Sequence, residues 1–224
     1  DSHVVLLSSP EAVNADRFGP KAANQAALGQ SGLPIPDGFC ISADAYRAQL
    51  KSAGLDKKMI EFGKADFESA RSIAIDLRIE LYDGEMDPAL KDEILTARQS
   101  LIDRTGEMMV VRSSALVEDR EGSSFAGQFE SFLGLETEDD FITAVRACWA
   151  ALWSVRALRY MDGHDISAGD TAMGLLVQPL VTAIASGGGL SQMAAGGMKI
   201  NATWGLGEAI AQGEVVPDSY EISE

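Results

Sequence analysis

Residues 107–135 read Glu-Met-Met-Val-Val-Arg-Ser-Ser-Ala-Leu-Val-Glu-Asp-Arg-Glu-Gly-Ser-Ser-Phe-Ala-Gly-Gln-Phe-Glu-Ser-Phe-Leu-Gly-Leu. The two ends are apolar and predict β-strands. The middle, Leu116 to Gly127, is polar, charged and glycine-containing, and predicts a long exposed hairpin loop. Arg112 follows four apolar residues at the point where the first strand meets that loop. The strand fixes its backbone, and its planar guanidinium fork can face a carboxylate or phosphate. Ser113, Ser114, Ser123, Ser124 and Gly127 put hydroxyls and backbone amides nearby. That chemistry suits phosphate groups held under a flap, residues 123–126, that excludes water. A plainer reading stands beside it: a strand-end arginine can be a salt-bridge partner and a serine-rich loop a solvated turn.

Composition narrows the field around this hairpin. The chain has 224 residues, 46% of them hydrophobic, enough for a core in one large domain or two lobes. Its 34 acidic and 18 basic residues give a net charge of −16, which repels nucleic acid and anionic membrane surfaces. Neither is an expected partner. Cys40 and Cys148 lie far apart in apolar stretches and read as reduced core residues, which points to a cytoplasmic setting. No apolar run of membrane-spanning length is expected, nor a leader segment. With only His3 and His164, any mechanism that needs a central histidine must take it from elsewhere.

Working outward, residues 4–7 predict a short edge strand, and Gly19-Pro20-Lys21 opens a helix running to about Ser31, with Pro20 in a first-turn position. A lysine at a helix start is disfavoured by the helix dipole, so Lys21 either points into solvent or meets an anion. Residues 33–42 predict a rigid Pro34–Gly38 turn and a strand. Helices are expected over Ala43–Ala53, from about Lys57 to Tyr82 with an interruption near Gly63, and over Asp87–Arg104. Thr137 and Asp140 have capping-box spacing before a helix ending near Met161, with Trp149 and Trp153 on its core face. The polar interval 162–171 predicts a connection between lobes. A strand over 173–177 then leads into Gln178-Pro179, where proline leaves backbone groups unpaired. Gly205-Leu206-Gly207 lacks the third glycine of a dinucleotide fingerprint and is not read as one.

Several of these stretches together resemble one family. Val111-Arg112-Ser113-Ser114-Ala115, the Glu118-Asp119 pair, and Ser124-Phe125-Ala126-Gly127-Gln128-Phe129-Glu130-Ser131-Phe132-Leu133 are similar to the nucleotide-binding domain shared by phosphoenolpyruvate synthase, pyruvate phosphate dikinase and rifampicin phosphotransferase. Gly19-Pro20-Lys21-Ala22-Ala23-Asn24, Val177-Gln178-Pro179 and Gly205-Leu206-Gly207-Glu208 extend the resemblance over most of the chain.

The resemblance implies an α/β (α+β) module of ATP-grasp type: a first lobe over 1–170 and an incomplete second lobe over 171–224. It implies an ATP-dependent phosphotransferase of dikinase type, part of a larger enzyme. Such a module binds Mg-ATP, Mg2+ included, and passes the β-phosphate to a histidine on a swivelling domain or another subunit, leaving AMP and phosphate. A small molecule is the final phosphate acceptor. Lys21 and Arg112 would neutralise phosphate oxygens, Gly127 and Ser131 would offer an amide and a hydroxyl, and Gln178 would hold the adenine edge. Metal ligands are left unassigned. The glycine-rich run 186–198 departs from the family and is expected to be a flexible segment, an engineered splice or a shortened loop. Set against the family pattern, the 224 residues are expected to stop short of its acidic metal ligands. Two rivals stay open: a nucleotide-binding regulatory module without turnover, and a kinase-like enzyme that moves the γ-phosphate and leaves ADP.

Overall fold

The computed structural model describes residues 2–106, 108–117, 129, 131–164, 166–167, 169, 171–194, 196–211 and 213–223. A short strand, β1 (Val4–Leu6), precedes a 3-10 turn over Pro10–Val13 and helices α1 (Ala15–Phe18) and α2 (Pro20–Gln30). Strand β2 (Phe39–Ile41) leads into α3 (Ala43–Ser52), α4 (Asp56–Phe62), α5 (Phe67–Asp83) and α6 (Pro88–Thr105). Strands β3 (Met109–Ala115) and β4 (Ser131–Leu135) form the expected antiparallel hairpin. Helices α7 (Glu138–Ala151) and α8 (Val155–Asp162) and strand β5 (Met173–Pro179) follow.

Local chemistry explains the helix boundaries. Each cap oxygen below accepts a backbone N–H that the first turn would otherwise leave unpaired. Ser42 accepts from Ala45 at 3.3 Å, Asp66 from Ser69 at 2.9 Å, Asp87 from Leu90 at 3.0 Å and Thr137 from Asp140 at 3.1 Å. The segment expected as one interrupted helix over 57–82 is two helices, because Asp66 starts a new one after Gly63. The helix expected through Met161 is likewise broken, at Leu152–Ser154, where Ser154 caps α8 through Ala157 N–H at 3.2 Å.

The first sheet has the order β1-β2-β5-β3-β4, antiparallel at every step. Alternate residues of each strand face opposite sides, so the register assigns every side chain to a face. Phe39, Ile41, Met109, Val111, Leu175 and Val177 point into the larger core, which holds Tyr46, Leu77, Ile94, Leu101, Phe141 and Trp149 from the helices. Trp153 in that core donates its indole N–H to the Tyr46 hydroxyl at 2.9 Å. Cys40 and Leu176 point the other way, against Phe18, Ala22 and Ala26 of α1 and α2. The unit is therefore a mixed sheet and helix fold of α+β type, helices covering both faces.

By length and composition alone Glu138–Asp162 is apolar enough to cross a membrane, although Arg146 and Arg156 interrupt any continuous apolar run. Core packing accounts for its apolar character, since Phe141, Val145, Cys148, Trp149 and Leu152 are all buried. Burial also pushes the Cys40 thiol up to about 12.

The chain divides into two compact units, Asp1–Leu180 and Val181–Glu224. The two units meet at 180/181. The physical reason is β5, which pairs with β3 at seven positions and with β2 at three, in the middle of the first sheet. The second unit contains β6 (Ala185–Leu190), β7 (Met198–Trp204), α9 (Glu208–Ala211) and β8 (Asp218–Ile222), with β7 central. Part of the glycine-rich run expected as a loop is strand β6, paired with β7 at six positions. Its glycines permit close pairing: a Cβ on Gly189 would come within 2.7 Å of the Lys199 carbonyl oxygen.

The turn before β2 carries a pH-dependent contact. Burial alone would raise the Asp37 carboxyl, but the Arg104 guanidinium at 2.9 Å and the Gly38 N–H at 2.7 Å outweigh it and hold the carboxyl below its ordinary value of 3.8. A depressed carboxyl stabilises the fold above its unfolded-state pKa, and the contribution disappears as pH falls through the folded-state value. Asp37→Asn is therefore expected to be less stable than wild type at neutral pH and to converge on it below about pH 4. Urea titrations across that range provide the check; a constant gap would rule the ionic contribution out.

Candidate functional site

The site is built on the sheet face that carries α2. Register places Val5, Cys40, Leu176, Arg112 and Ser131 in one row across β1, β2, β5, β3 and β4. The first three residues of the row lie in the small core beneath α1 and α2. At β3 the row becomes polar: Arg112 is half-buried and Ser131 exposed. Among the described residues the Arg112 side chain has no ion pair and no hydrogen bond. A half-buried guanidinium presents five donors that need acceptors.

Lys21 comes to the same place from the helix. It lies in the first turn of α2, half-buried, and its ammonium donates to the Ser113 carbonyl at 2.6 Å. That carbonyl belongs to the residue after Arg112, so two cations from positions 91 residues apart meet on one strand.

Two glycines bring the helix this close. Gly19, immediately before α2, has φ +79° and ψ 159°, a conformation open to glycine and strained for other residues. A Cβ there would overlap the carbonyl and hydroxyl oxygens of Ser114. On the neighbouring strand, a Cβ on Gly174 would come within 2.5 Å of the Phe18 carbonyl oxygen. Ser114, fully buried, accepts the Ala22 N–H at 3.1 Å and so caps α2 from across the fold. The hydroxyls of Ser113 and Ser114, expected to add to an open phosphate site, are thus enclosed; both residues are 0% exposed.

Gln178 shares the face but sits apart. It pairs with Val110, two residues along β5 from Leu176, or about 7 Å at strand rise. Its side chain is buried under the Pro34–Gly38 turn, its amide nitrogen donating to the Pro36 carbonyl at 3.4 Å. Gly127 and the flap 123–126 lie outside the described residues. Lys21 reaches the strand that carries Arg112, Ser131 is paired with Arg112, and Gln178 lies on the same face two residues along β5 from Leu176. Among the described residues no three His, Cys, Asp or Glu side chains gather as a metal site, so Mg2+ is assigned no ligand.

Sequence reasoning missed Gly19 and Gly174 as the seat of the helix. The signal was present: a glycine stands directly before the Pro20 that opens α2, and another interrupts the otherwise bulky strand Met173–Val177.

Residues 15–224 match the pyruvate phosphate dikinase AMP/ATP-binding domain family. The chain belongs to this family. Among similar proteins, the phosphoenolpyruvate synthase of Aeropyrum pernix is 32% identical over 221 residues, covering 92% of the chain and 27% of the synthase. The prodigiosin synthesizing transferase PigC of Serratia marcescens is 33% identical, covering 97% of the chain and 23% of that protein. The uncharacterized phosphotransferase YvkC of Bacillus subtilis is 31% identical over 212 residues, 92% of the chain and 23% of that protein. The chain thus spans about a quarter of the length of these relatives. The expectation of an ATP-binding domain of this family is met.

Proposed function

We propose that the domain binds Mg-ATP on the α2 face of its sheet and serves a dikinase-type phosphotransferase by presenting the β-phosphate to a histidine of another domain or subunit. The observation that carries this reading is the half-buried Arg112, without a partner among the described residues, one residue from the carbonyl that Lys21 meets. In phosphoryl transfer there is little covalent chemistry for side chains to perform; positioning and charge neutralisation dominate. Lys21 and Arg112 would bind the phosphate oxygens, Lys21 exchanging the Ser113 carbonyl for one of them. Ser131 would add a hydroxyl from the same row, and Gly127 a backbone amide. Gln178, held under Pro36, would meet the adenine edge. Magnesium would arrive on the nucleotide's own phosphates.

The proposed step balances as follows. An imidazole nitrogen attacks the β-phosphorus and the bond to the AMP oxygen breaks. Water then removes the γ-phosphoryl as phosphate. The phosphohistidine delivers its group to a small-molecule acceptor bound elsewhere in the full protein. Reading the two units as the lobes of an ATP-grasp fold belongs to the same proposal, as does a cytoplasmic setting, which the buried free thiols of Cys40 and Cys148 support.

The test supplies the full protein containing this chain with ATP labelled at either the β or the γ position. Expected products are AMP and phosphate in equal amounts, with β label on a histidine. ADP as product would replace this reading with ordinary γ-phosphate transfer. Saturable ATP binding with neither product would leave a regulatory nucleotide-binding module.

A further inference from the structure

We infer that the open cavity between α4, α5 and α8 is a second ligand site, which takes a small apolar anion such as an aromatic carboxylate or sulfonate. The cavity has a volume of about 450 Å³, within the range typical of small-molecule sites. Phe62, Ala70, Val155, Leu158, Met161 and Ile166 form an apolar wall. The spacing of Val155, Leu158, Arg159 and Asp162 puts them on one face of α8, turned toward that wall.

Arg71 and Arg159 also line the cavity, and neither side chain has an ion pair or hydrogen bond among the described residues. Elsewhere on the same acidic surface, Arg17, Arg47, Lys58 and Arg104 each find a carboxylate within 4 Å. Among the described lining residues Asp162 is the one acidic side chain beside the two arginines, in a chain of net charge −16. An apolar body would fill the wall while its acid group meets two arginines, which favour anions with planar oxygens.

This site is separate from the nucleotide face. Phe62, Leu158, Met161 and Ile166 belong to or pack on the larger core, on the side of the sheet opposite α2. It also carries its own reporter. Phe62 meets the buried Trp153 edge to face, ring centroids 5.1 Å apart, so a ligand against Phe62 alters the surroundings of that indole.

The test uses two dyes of one shape: anilinonaphthalene sulfonate and its uncharged counterpart N-phenylnaphthylamine. Each is titrated into the wild-type chain, into Ala70→Leu, which fills the cavity, and into the pair Arg71→Gln with Arg159→Gln. Circular dichroism and melting confirm the fold of each variant. The sulfonate is expected to saturate one site, shift tryptophan emission and persist in excess Mg-ATP. The paired substitution should weaken it about tenfold and leave the neutral dye unchanged. Ala70→Leu should weaken both dyes at least as much.

Three results would overturn the inference. Binding untouched by Ala70→Leu would put the dye elsewhere, such as the exposed Ile200, Trp204 and Tyr220. Equal affinity of both dyes in every chain would remove the anion preference. One-for-one displacement by ATP would return the dye to the nucleotide face.

Discussion

Arg112→Ala is expected to lower the affinity for Mg-ATP by about tenfold to a hundredfold with the fold intact. One charge-assisted hydrogen bond contributes about 1.5 to 3 kcal/mol, and each 1.4 kcal/mol is about a factor of ten. In this protein the substitution gives an unusually direct readout, because Arg112 has no ion pair or hydrogen bond with the described residues to lose. Its removal breaks no observed salt bridge, so melting temperature should stay close to wild type while affinity falls. Arg112→Lys should fall between the two, keeping the charge and losing the two-pronged geometry. Calorimetric titration with Mg-ATP and Mg-AMP distinguishes where the contact lies: a guanidinium on the β- or γ-phosphate leaves AMP binding almost unchanged. Wild-type ATP affinity in a folded Arg112→Ala chain would remove this residue from the site.

That site was legible in the sequence to the extent that residue type and order dictate local geometry. Four apolar residues before Arg112 dictate a strand, and the second apolar run dictates its hairpin partner; β3 and β4 pair as that requires, with Ser131 opposite Arg112. The cap at Thr137 was readable because an acceptor before an apolar periodic run has few other uses. Two features were hidden, and each depends on a partner distant in sequence. Ser114 reads as a loop hydroxyl, yet it caps α2 through Ala22, 92 residues away. Gln178 reads as a turn residue or an open base contact, and packs under Pro36, 142 residues away. Periodicity reports which side of an element is buried but not which distant segment buries it, and here the tertiary neighbour determines each residue's role.

Gly19→Ala is expected to produce the largest loss of stability and to remove nucleotide binding with it. The backbone at Gly19 has φ +79° and ψ 159°, a region that costs a non-glycine residue about 1 to 3 kcal/mol. The added methyl would also overlap the Ser114 carbonyl and hydroxyl oxygens, and forcing an extra carbon into a filled contact costs about 1 to 3 kcal/mol more. A total on the order of 3 kcal/mol is a large share of the roughly 5 to 15 kcal/mol that holds a domain folded. For a chain of this size it should lower the melting temperature by about 6 to 12 °C. Gly32→Ala is the matched control, since Gly32 has φ +84° with nothing within 4 Å of the added carbon. It bears the conformational cost alone and should lose about 1 kcal/mol. The difference between the two variants therefore measures the seat of α2 on β3, the same contact that sets Lys21 on the Ser113 carbonyl and Ala22 N–H on the Ser114 hydroxyl. Relief of the overlap requires α2 to move off β3, which draws Lys21 away from Arg112. ATP affinity should accordingly fall in Gly19→Ala at temperatures where the chain remains folded, and hold in Gly32→Ala. If both variants melt alike and bind alike, α2 has room to spare at β3, and the position of Lys21 does not depend on Gly19.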